Sequence, residues 1–540
     1  MRDCFEIVDK DLLGRVGRLK TRRGVVETPA LAPVINPGLN VVPPREVAEL
    51  GYGLLMTNAY LIKRRYGDVA LEMGVHGLLG VETPIMTDSG AYQLMEYGEV
   101  EVKPLEIVEY QVKLGSDIGV ILDIPTRHGV SRETVAREVE ETIRRAREAL
   151  EVDRGDMLLV GPVQGGVYLD IVARAARELA KLDYDIYAVG GPVQLMENYN
   201  YRELVRLVMT AKMNLPPGKP LHLFGAGNPH MLALAVAMGV DLFDSASYAL
   251  YARDGRYMTP HGVYRLEDLG DLPCECPICS KLSVDELREM PYQERVYRLA
   301  LHNLYVLRAE LRRIRNAIRE GSLWELLELR ARSHPSLLQA LREYERYVAF
   351  IERHHPVARG VVSGLFFYDE VSRGRPEVYR HLHRLRERYT PPPADALLLA
   401  LETEVKPFSR FGWIAELAKA VAGDALLRER VHVVVASAAY GVVPLELDST
   451  YPLSQYESAI DMDEPRAAAA LASDVAWFVR GLGRYRLAVV VYEARHEAAA
   501  VEIVKRLRRA GLRAFLRPFT SVGDTLAFLK LVLAISQPHT

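Results

Sequence analysis

Met157-Leu158-Leu159-Val160-Gly161-Pro162-Val163-Gln164 is an apolar run that ends on a side-chain amide, followed by Gly165-Gly166 and then the amphipathic stretch Tyr168–Lys181. A short apolar run bounded by glycine reads as a strand buried on both faces, and the helical spacing after it as a helix lying on the sheet. The same unit recurs on either side. β-rich runs stand at Leu31–Ile35, Leu54–Tyr60, Ile85–Ser89, Gly119–Pro125, Ile186–Gly191, Leu221–Gly227 and Leu242–Ser247. Helical patterns separate them, among them Ser131–Glu151, Tyr201–Met213 and Pro229–Met238. Strands alternating with helices imply a parallel sheet. With Met157–Gln164 the β-like runs number eight, which implies a closed (β/α)8 barrel rather than an open doubly wound sheet.

A barrel gathers reactive groups at the carboxyl ends of its strands. In order, those ends carry Thr57-Asn58, Asp88-Ser89-Gly90, Asp123, Gln164-Gly165-Gly166, Gly190-Gly191, Gly225-Ala226-Gly227 and Asp244-Ser245. One aspartate after a strand is ordinarily a helix cap. Three of them, with an amide and glycines that let a flat ligand approach the backbone, point to a site. No catalytic cysteine, Ser–His pair or phosphate loop accompanies them. His76, His128 and His222 share no ligand spacing and read as structural. Glycosyl chemistry fits best: one carboxylate captures the anomeric carbon while another shuttles the proton. A third acid can read the N–H donors of a nucleobase edge.

Cys274-Glu275-Cys276-Pro277-Ile278-Cys279 holds three of the four cysteines, and His302 follows on the predicted helix Arg295–Glu320. Three thiolates and an imidazole suit a closed tetrahedral zinc site, one that braces structure and leaves no position for water. The alternatives are disulfides or reduced thiols. Pairing three cysteines strands one, and a chain of this size needs no staples. The start, Met1-Arg2-Asp3-Cys4-Phe5, does not resemble a signal peptide, and no apolar stretch reaches the roughly 20 residues of a membrane span. A reducing cytosol is expected, with Cys4 inert. The element Leu272–Gly321 reads as an insertion after the eighth strand. Its helix carries Arg308, Arg312, Arg313, Arg315 and Arg319. Alone, this is a solvated face; beside a metal element at a barrel mouth, it is a candidate phosphate-contacting surface.

With 540 residues, 49% hydrophobic and 26% charged, the chain has the composition of a soluble protein of more than one domain. A net charge of -3 means that any nucleic acid must be met by a local basic face. The expected division is a catalytic barrel over 1–345 with the metal element at about 270–320, a small linker domain over 346–393, and a second α/β domain over 394–540. Arg373–Tyr389 is strongly basic, and Thr390-Pro391-Pro392-Pro393 marks the later boundary. Beyond it Val431–Ser437, Leu487–Tyr492 and Arg513–Leu516 read as strands, and Pro465–Arg480 and His496–Ala510 as helices.

Four motifs then stand in register: Thr87-Asp88-Ser89-Gly90-Ala91-Tyr92-Gln93, Gln164-Gly165-Gly166, Phe243-Asp244-Ser245-Ala246 and the C-x-C-x-x-C…His element. Together they resemble the tRNA-guanine transglycosylase family. Pro444–Gln455, with Tyr451-Pro452-Leu453-Ser454-Gln455, is similar to the archaeal, archaeosine-forming branch. The resemblance is strong from about residue 5 to 320 and moderate beyond. It implies a zinc-containing barrel that exchanges an encoded guanine, at position 15 of the tRNA D-arm, for 7-cyano-7-deazaguanine. Asp244 matches the family's covalent nucleophile and Asp88 its acid/base, the reverse assignment being left open by sequence. Asp123 matches the reader of the purine's amide edge; Gln164 and the backbone at Gly190-Gly191 match further base contacts, with Ser89 grouped among them.

The target base must be extruded from its stack to reach such a pocket. The resemblance also implies tRNA and a deazaguanine as partners, a homodimer, a cytoplasmic location and no membrane. The chain stops at Thr540 without room for the small RNA-binding PUA module found in many archaeal members. A separate polypeptide, or the remaining domains alone, would then hold the tRNA. Three rival readings are a non-catalytic tRNA-binding subunit of the family, a bacterial-type enzyme acting at an anticodon, and an unrelated barrel glycosidase. The first is disfavoured by the presence of Asp88, Asp123 and Asp244, the second by the extra C-terminal domains.

Overall fold

A computed structural model describes residues 4–91, 103–127, 129–358, 362–482 and 484–535. Tyr92, Gln93 and His128 lie outside them. The chain divides into two compact units, Met1–Arg359 and Gly360–Thr540.

The first unit opens with an antiparallel sheet of Phe5–Asp11 (β1), Gly14–Thr21 (β2) and Gly24–Thr28 (β3). Eight parallel strands follow: Ala30–Pro33 (β4), Leu55–Asn58 (β5), Ile85–Asp88 (β6), Ile118–Val120 (β7), Leu158–Val163 (β8), Ile186–Val189 (β9), Leu221–Leu223 (β10) and Leu242–Ser245 (β11). Each pairs with the next from β5 to β11, and β11 returns to β4 through Leu242↔Ala30 and Ser245↔Pro33. A bridge between Val34 and Met56, with the Ile35 amide donating to Met56 O at 2.7 Å, closes the ring. All eight expected strands are present, and the chain forms the (β/α)8 barrel.

Helices cover the outer face where the periodicity places them. Arg132–Ala149 starts at Ser131, whose hydroxyl accepts the Thr134 amide, and buries Val135, Val139, Ile143 and Ala146 at helical spacing. Inside the barrel, Ala30, Met56, Met86, Val120, Val160, Ala188 and Leu242 form one apolar cluster with Phe5, Leu19 and Val26 of the antiparallel sheet. That sheet therefore plugs the floor. Each large apolar side chain so buried contributes about 1.5–3 kcal/mol.

The floor also carries three acids that are neutralised by pairing. Asp117, Asp185 and Asp241 directly precede β7, β9 and β11. Each accepts a backbone N–H from the neighbouring strand: Ile85 at 2.8 Å, Leu159 at 3.0 Å and Leu221 at 2.9 Å. Each also meets an arginine: Arg22 at 3.0 Å, Arg154 at 2.6 Å and Arg15 at 2.6 Å. His76 completes the set at Asp117 and is structural, as expected. Buried charge is tolerated only with such pairing.

After β11, a helix over Ser247–Arg253 leads to the hairpin Arg256–Thr259 (β12) and Gly262–Arg265 (β13), then to the cysteine loop and the 29-residue helix Tyr292–Glu320. Asn303 ties this insertion together, accepting Met258 N–H at 3.0 Å and donating to Tyr248 O at 3.2 Å. Two arginines of that helix depart from the sequence reading. Arg315 donates to Pro29 O at 2.8 Å and pairs with Glu27; Arg319 pairs with Glu27 and Asp9. Pro29 precedes β4, so these two cations lie at the barrel floor and are spent on structure.

The second unit has a five-stranded sheet in the order Gly441–Pro444 (β17), Val431–Ser437 (β16), Ala396–Leu401 (β15), Leu487–Tyr492 (β19) and Arg513–Pro518 (β20), parallel except for β17. Leu365–Phe367 (β14) pairs with Tyr456–Ser458 (β18) in a separate two-stranded ribbon. No helix among the described residues is long and apolar enough to cross a membrane.

Candidate active site

Opposite the floor, at the carboxyl ends of the strands, Asp88, Asp123 and Asp244 form no ion pair with arginine or lysine among the described residues. Asp88 ends β6, in register with Asn58 at the end of β5. Asn58 is placed by two bonds. Its Oδ1 accepts the Leu61 amide at 2.9 Å, capping the helix Ala59–Tyr66, which turns its Nδ2 toward Asp88 Oδ2 at 2.9 Å. Burial, reinforced by the charges of Asp123 and Asp244, pushes the Asp88 carboxyl up to about 7. The amides of Gly90 and Ser89 oppose that rise without cancelling it. Ser89 is fully buried and donates its hydroxyl to Ile121 O at 2.9 Å. Gly90 has φ of 96°, and a Cβ there would fall 2.6 Å from Tyr60 Cβ.

The chain leaves the barrel ladder after Val120, so Asp123 lies on irregular backbone rather than in a strand reaching Pro125. Its Oδ2 accepts Gln164 Nε2 at 2.5 Å, while Gln164 Oε1 accepts the Thr126 amide at 3.0 Å. Burial raises Asp123 to about 6 against the opposing Gln164 bond and the charge of Arg145. Gly190 allows this pair: a Cβ at 190 would come within 2.0 Å of Gln164 Nε2. Gly191 follows at φ of 71°, its would-be Cβ 3.1 Å from Thr126 O.

Asp244 sits on β11. Its Oδ1 accepts the Gly225 amide at 3.0 Å and faces His222 Nε2 at 2.9 Å. His222 Nδ1 is buried with no hydrogen-bond partner among the described residues. A proton on Nδ1 would be an unsatisfied buried donor beside an unopposed lone pair at the carboxylate, so the proton belongs on Nε2. Asp244 Oδ2 has no hydrogen bond among the described residues, and the side chain keeps 12% of its surface exposed. One oxygen is thus anchored by two donors and the other is presented to the mouth. His222, which as a lone histidine reads as structural, is a direct partner of a site residue. Asn58 is another partner that sequence placed at the mouth without a role.

The four ligand atoms of Cys274, Cys276, Cys279 and His302 all lie within 4.8 Å of one another. Cys276 Sγ is 3.5 Å from Cys279 Sγ and from His302 Nδ1, and no disulfide joins them. His302 Nε2–H donates to Met258 O at 2.8 Å, which leaves Nδ1 as the ligand atom. Tyr257 stacks on the imidazole at 3.7 Å and its hydroxyl meets Cys279 Sγ at 3.2 Å. A metal fits this set: donor type, spacing and outer partners are those of a four-coordinate structural site.

Fold and site together define a (β/α)8-barrel protein with a carboxylate-lined mouth and a Cys3His element inserted after the eighth strand. A family model described as queuine tRNA-ribosyltransferase matches residues 10–336, and the chain belongs to that family. A second model, a domain of unknown function (DUF5591), matches residues 378–507. Among curated relatives, a tRNA-guanine(15) transglycosylase of Pyrobaculum aerophilum is 46% identical over 469 residues, 86% of this chain and 92% of the relative. One from Aeropyrum pernix is 52% identical over 378 residues, 70% of this chain and 74% of its own length. One from Methanocaldococcus jannaschii is 42% identical over 468 residues, 84% and 68% respectively.

Proposed function

We propose that this chain is a tRNA-guanine(15) transglycosylase, replacing the guanine at position 15 of tRNA by 7-cyano-7-deazaguanine on the route to archaeosine. Asp244 Oδ2 attacks the ribose C1′ as the bond from C1′ to guanine breaks. Asp88 gives its proton to the departing base. The product is a glycosyl ester on Asp244. The incoming deazaguanine loses its ring N–H proton to Asp88 as it attacks C1′ from the vacated face and expels the carboxylate. Two displacements retain configuration, and each bond broken is matched by one formed, so no triphosphate or redox cofactor is needed.

The observation that carries this reading is the contrast between the two carboxyls. Asp88, held up to about 7, keeps a proton to donate near neutrality, whereas Asp244 has one anchored and one open oxygen. Asp123 would accept the guanine's amide-edge N–H donors, with Gln164 and the Gly190-Gly191 backbone completing the base pocket and Ser89 shaping its wall. Zinc suits the soft Cys274, Cys276, Cys279 and His302 set; bound there it supplies a structural brace, not a reactive centre. Such a thiolate set suits a reducing compartment, which favours the cytosol. A homodimer completes the reading.

The test is exchange of labelled guanine into tRNA transcripts differing only at position 15. Incorporation into the guanine-15 transcript and none into an adenine-15 transcript supports the reading. Equal labelling of both, or labelling confined to an anticodon position, refutes it.

A further inference from the structure

On the floor side of the barrel, away from the acids of the mouth, lies a cavity of about 180 Å³ whose lining includes Lys10, Arg15, Lys212, His354 and Phe350. Its charge is what sets it apart. Arg15 is spent on Asp241, with 2.8 and 2.6 Å bonds to the two carboxylate oxygens. The two lysines have no carboxylate partner among the described residues. Lys212 is 8% exposed, and its Nζ donates to Gly239 O at 3.1 Å. Its two other N–H donors have no acceptor among the described residues. Gly239 makes the room: a Cβ there would meet Lys212 Cε at 2.6 Å and Nζ at 3.0 Å.

Burying a lysine without a counter-charge is costly. The cations also repel one another. Burial, then Arg15 and Lys10, bring the Lys212 ammonium down to about 7 against the pull of Asp241; burial and Arg15 lower Lys10. Burial, then Lys10 and Lys212, lower His354. The bond to Gly239 O uses one donor of Lys212, and packing alone does not require the charge, since methionine would fill the same space. An anion in the cavity would supply the missing acceptors and relieve the repulsion. Asp117, Asp185 and Asp241 on the same face are already paired with arginines.

We propose that this cavity is an oxyanion site, in which Lys10 and Lys212 bind a tetrahedral phosphate group while Arg15 and Phe350 wall it. The group is either free inorganic phosphate or a backbone phosphate of an RNA strand that reaches around the barrel. The second source rests on the proposed action on tRNA; the first does not.

Isothermal titration of the full chain with inorganic phosphate, at constant ionic strength in chloride, tests it. Wild type binds phosphate, and Lys212→Met and Lys10→Met each weaken binding about tenfold or more, as expected for loss of one charge-assisted contact. Lys10 is on a strand at half burial, so its variant remains informative if the Lys212 variant misfolds. No phosphate heat in wild type, or undiminished heat in both variants, overturns the proposal. The salt dependence of tRNA binding then separates the sources. A slope reduced by about one ion in the variants assigns the site to RNA, and an unchanged slope with phosphate binding lost assigns it to a free anion.

Discussion

His222 Nε2 stands 2.9 Å from Asp244 Oδ1, and with the Gly225 amide it commits that oxygen and leaves Oδ2 open to the mouth, the oxygen we propose as nucleophile. Changing His222 to Phe keeps the ring packed against Phe224 but frees the carboxylate to rotate. The expected result is a fall in kcat of about 10²-fold with little change in KM for tRNA. Single-turnover and steady-state kinetics of guanine exchange measure it. An unchanged kcat would show that Asp244 needs no such support.

Asp88 gives a pH signature. In the proposed mechanism its carboxyl must be protonated to release guanine, and it is held up to about 7, so kcat/KM for tRNA should fall as pH rises through about 7. Removing the Asn58 N–H donor destabilises the ionised form further, so Asn58→Ala should move that fall to higher pH. The same change loses a helix cap, costing about 1 kcal/mol. A pH–rate profile of both proteins checks the shift.

The same group links function to stability. Its folded-state value lies above its ordinary 3.8, so the ionised form is disfavoured in the folded chain. The penalty is absent below about 4, grows as pH rises, and is complete above about 7. Asp88→Asn should abolish exchange yet raise unfolding stability at pH 8, by roughly 1–3 kcal/mol, with little gain at pH 4. Thermal melts at the two pH values give the comparison.

Much of this was legible in the sequence because parallel barrel strands are buried on both faces, so they read as unbroken apolar runs. The mouth residues were legible for the same reason, as the first polar residues after each run. The antiparallel sheet β1–β3 was not, since Glu6, Ile7 and Val8 of β1 all face solvent and give no alternation. Nor was β15: Ala-Leu-Leu-Leu-Ala-Leu over 396–401 is made of helix formers, and only its central place in the sheet makes it a strand. The partners of the acids were hidden because they arise from pairing between strands. Asn58 meets Asp88 through the β5–β6 register, and His222 reaches Asp244 from β10 to β11.

Gly190 bears on the proposed base pocket. With a Cβ placed 2.0 Å from Gln164 Nε2, Gly190→Ala must dislodge Gln164 from Asp123. Affinity for the deazaguanine should drop about tenfold or more, while tRNA binding is kept. Competition of the free base against guanine exchange reports the first, and filter binding the second.

The metal element predicts a structural phenotype. One metal ion per chain is expected, and Cys276→Ser or chelation should lower the melting temperature before activity is lost. Metal analysis beside calorimetry checks the order. Full stability after complete metal removal would remove the bracing role.

The central claim is that Asp244 forms the glycosyl bond and Asp88 moves the proton. Wild-type chain incubated with guanine-15 tRNA, without a replacement base, is quenched in denaturant and digested, and the peptide carrying ribose is mapped by mass spectrometry. The expected adduct is an ester on the peptide containing Asp244, absent in Asp244→Asn. Ribose on the Asp88 peptide, or exchange by the Asp244→Asn variant, would contradict it.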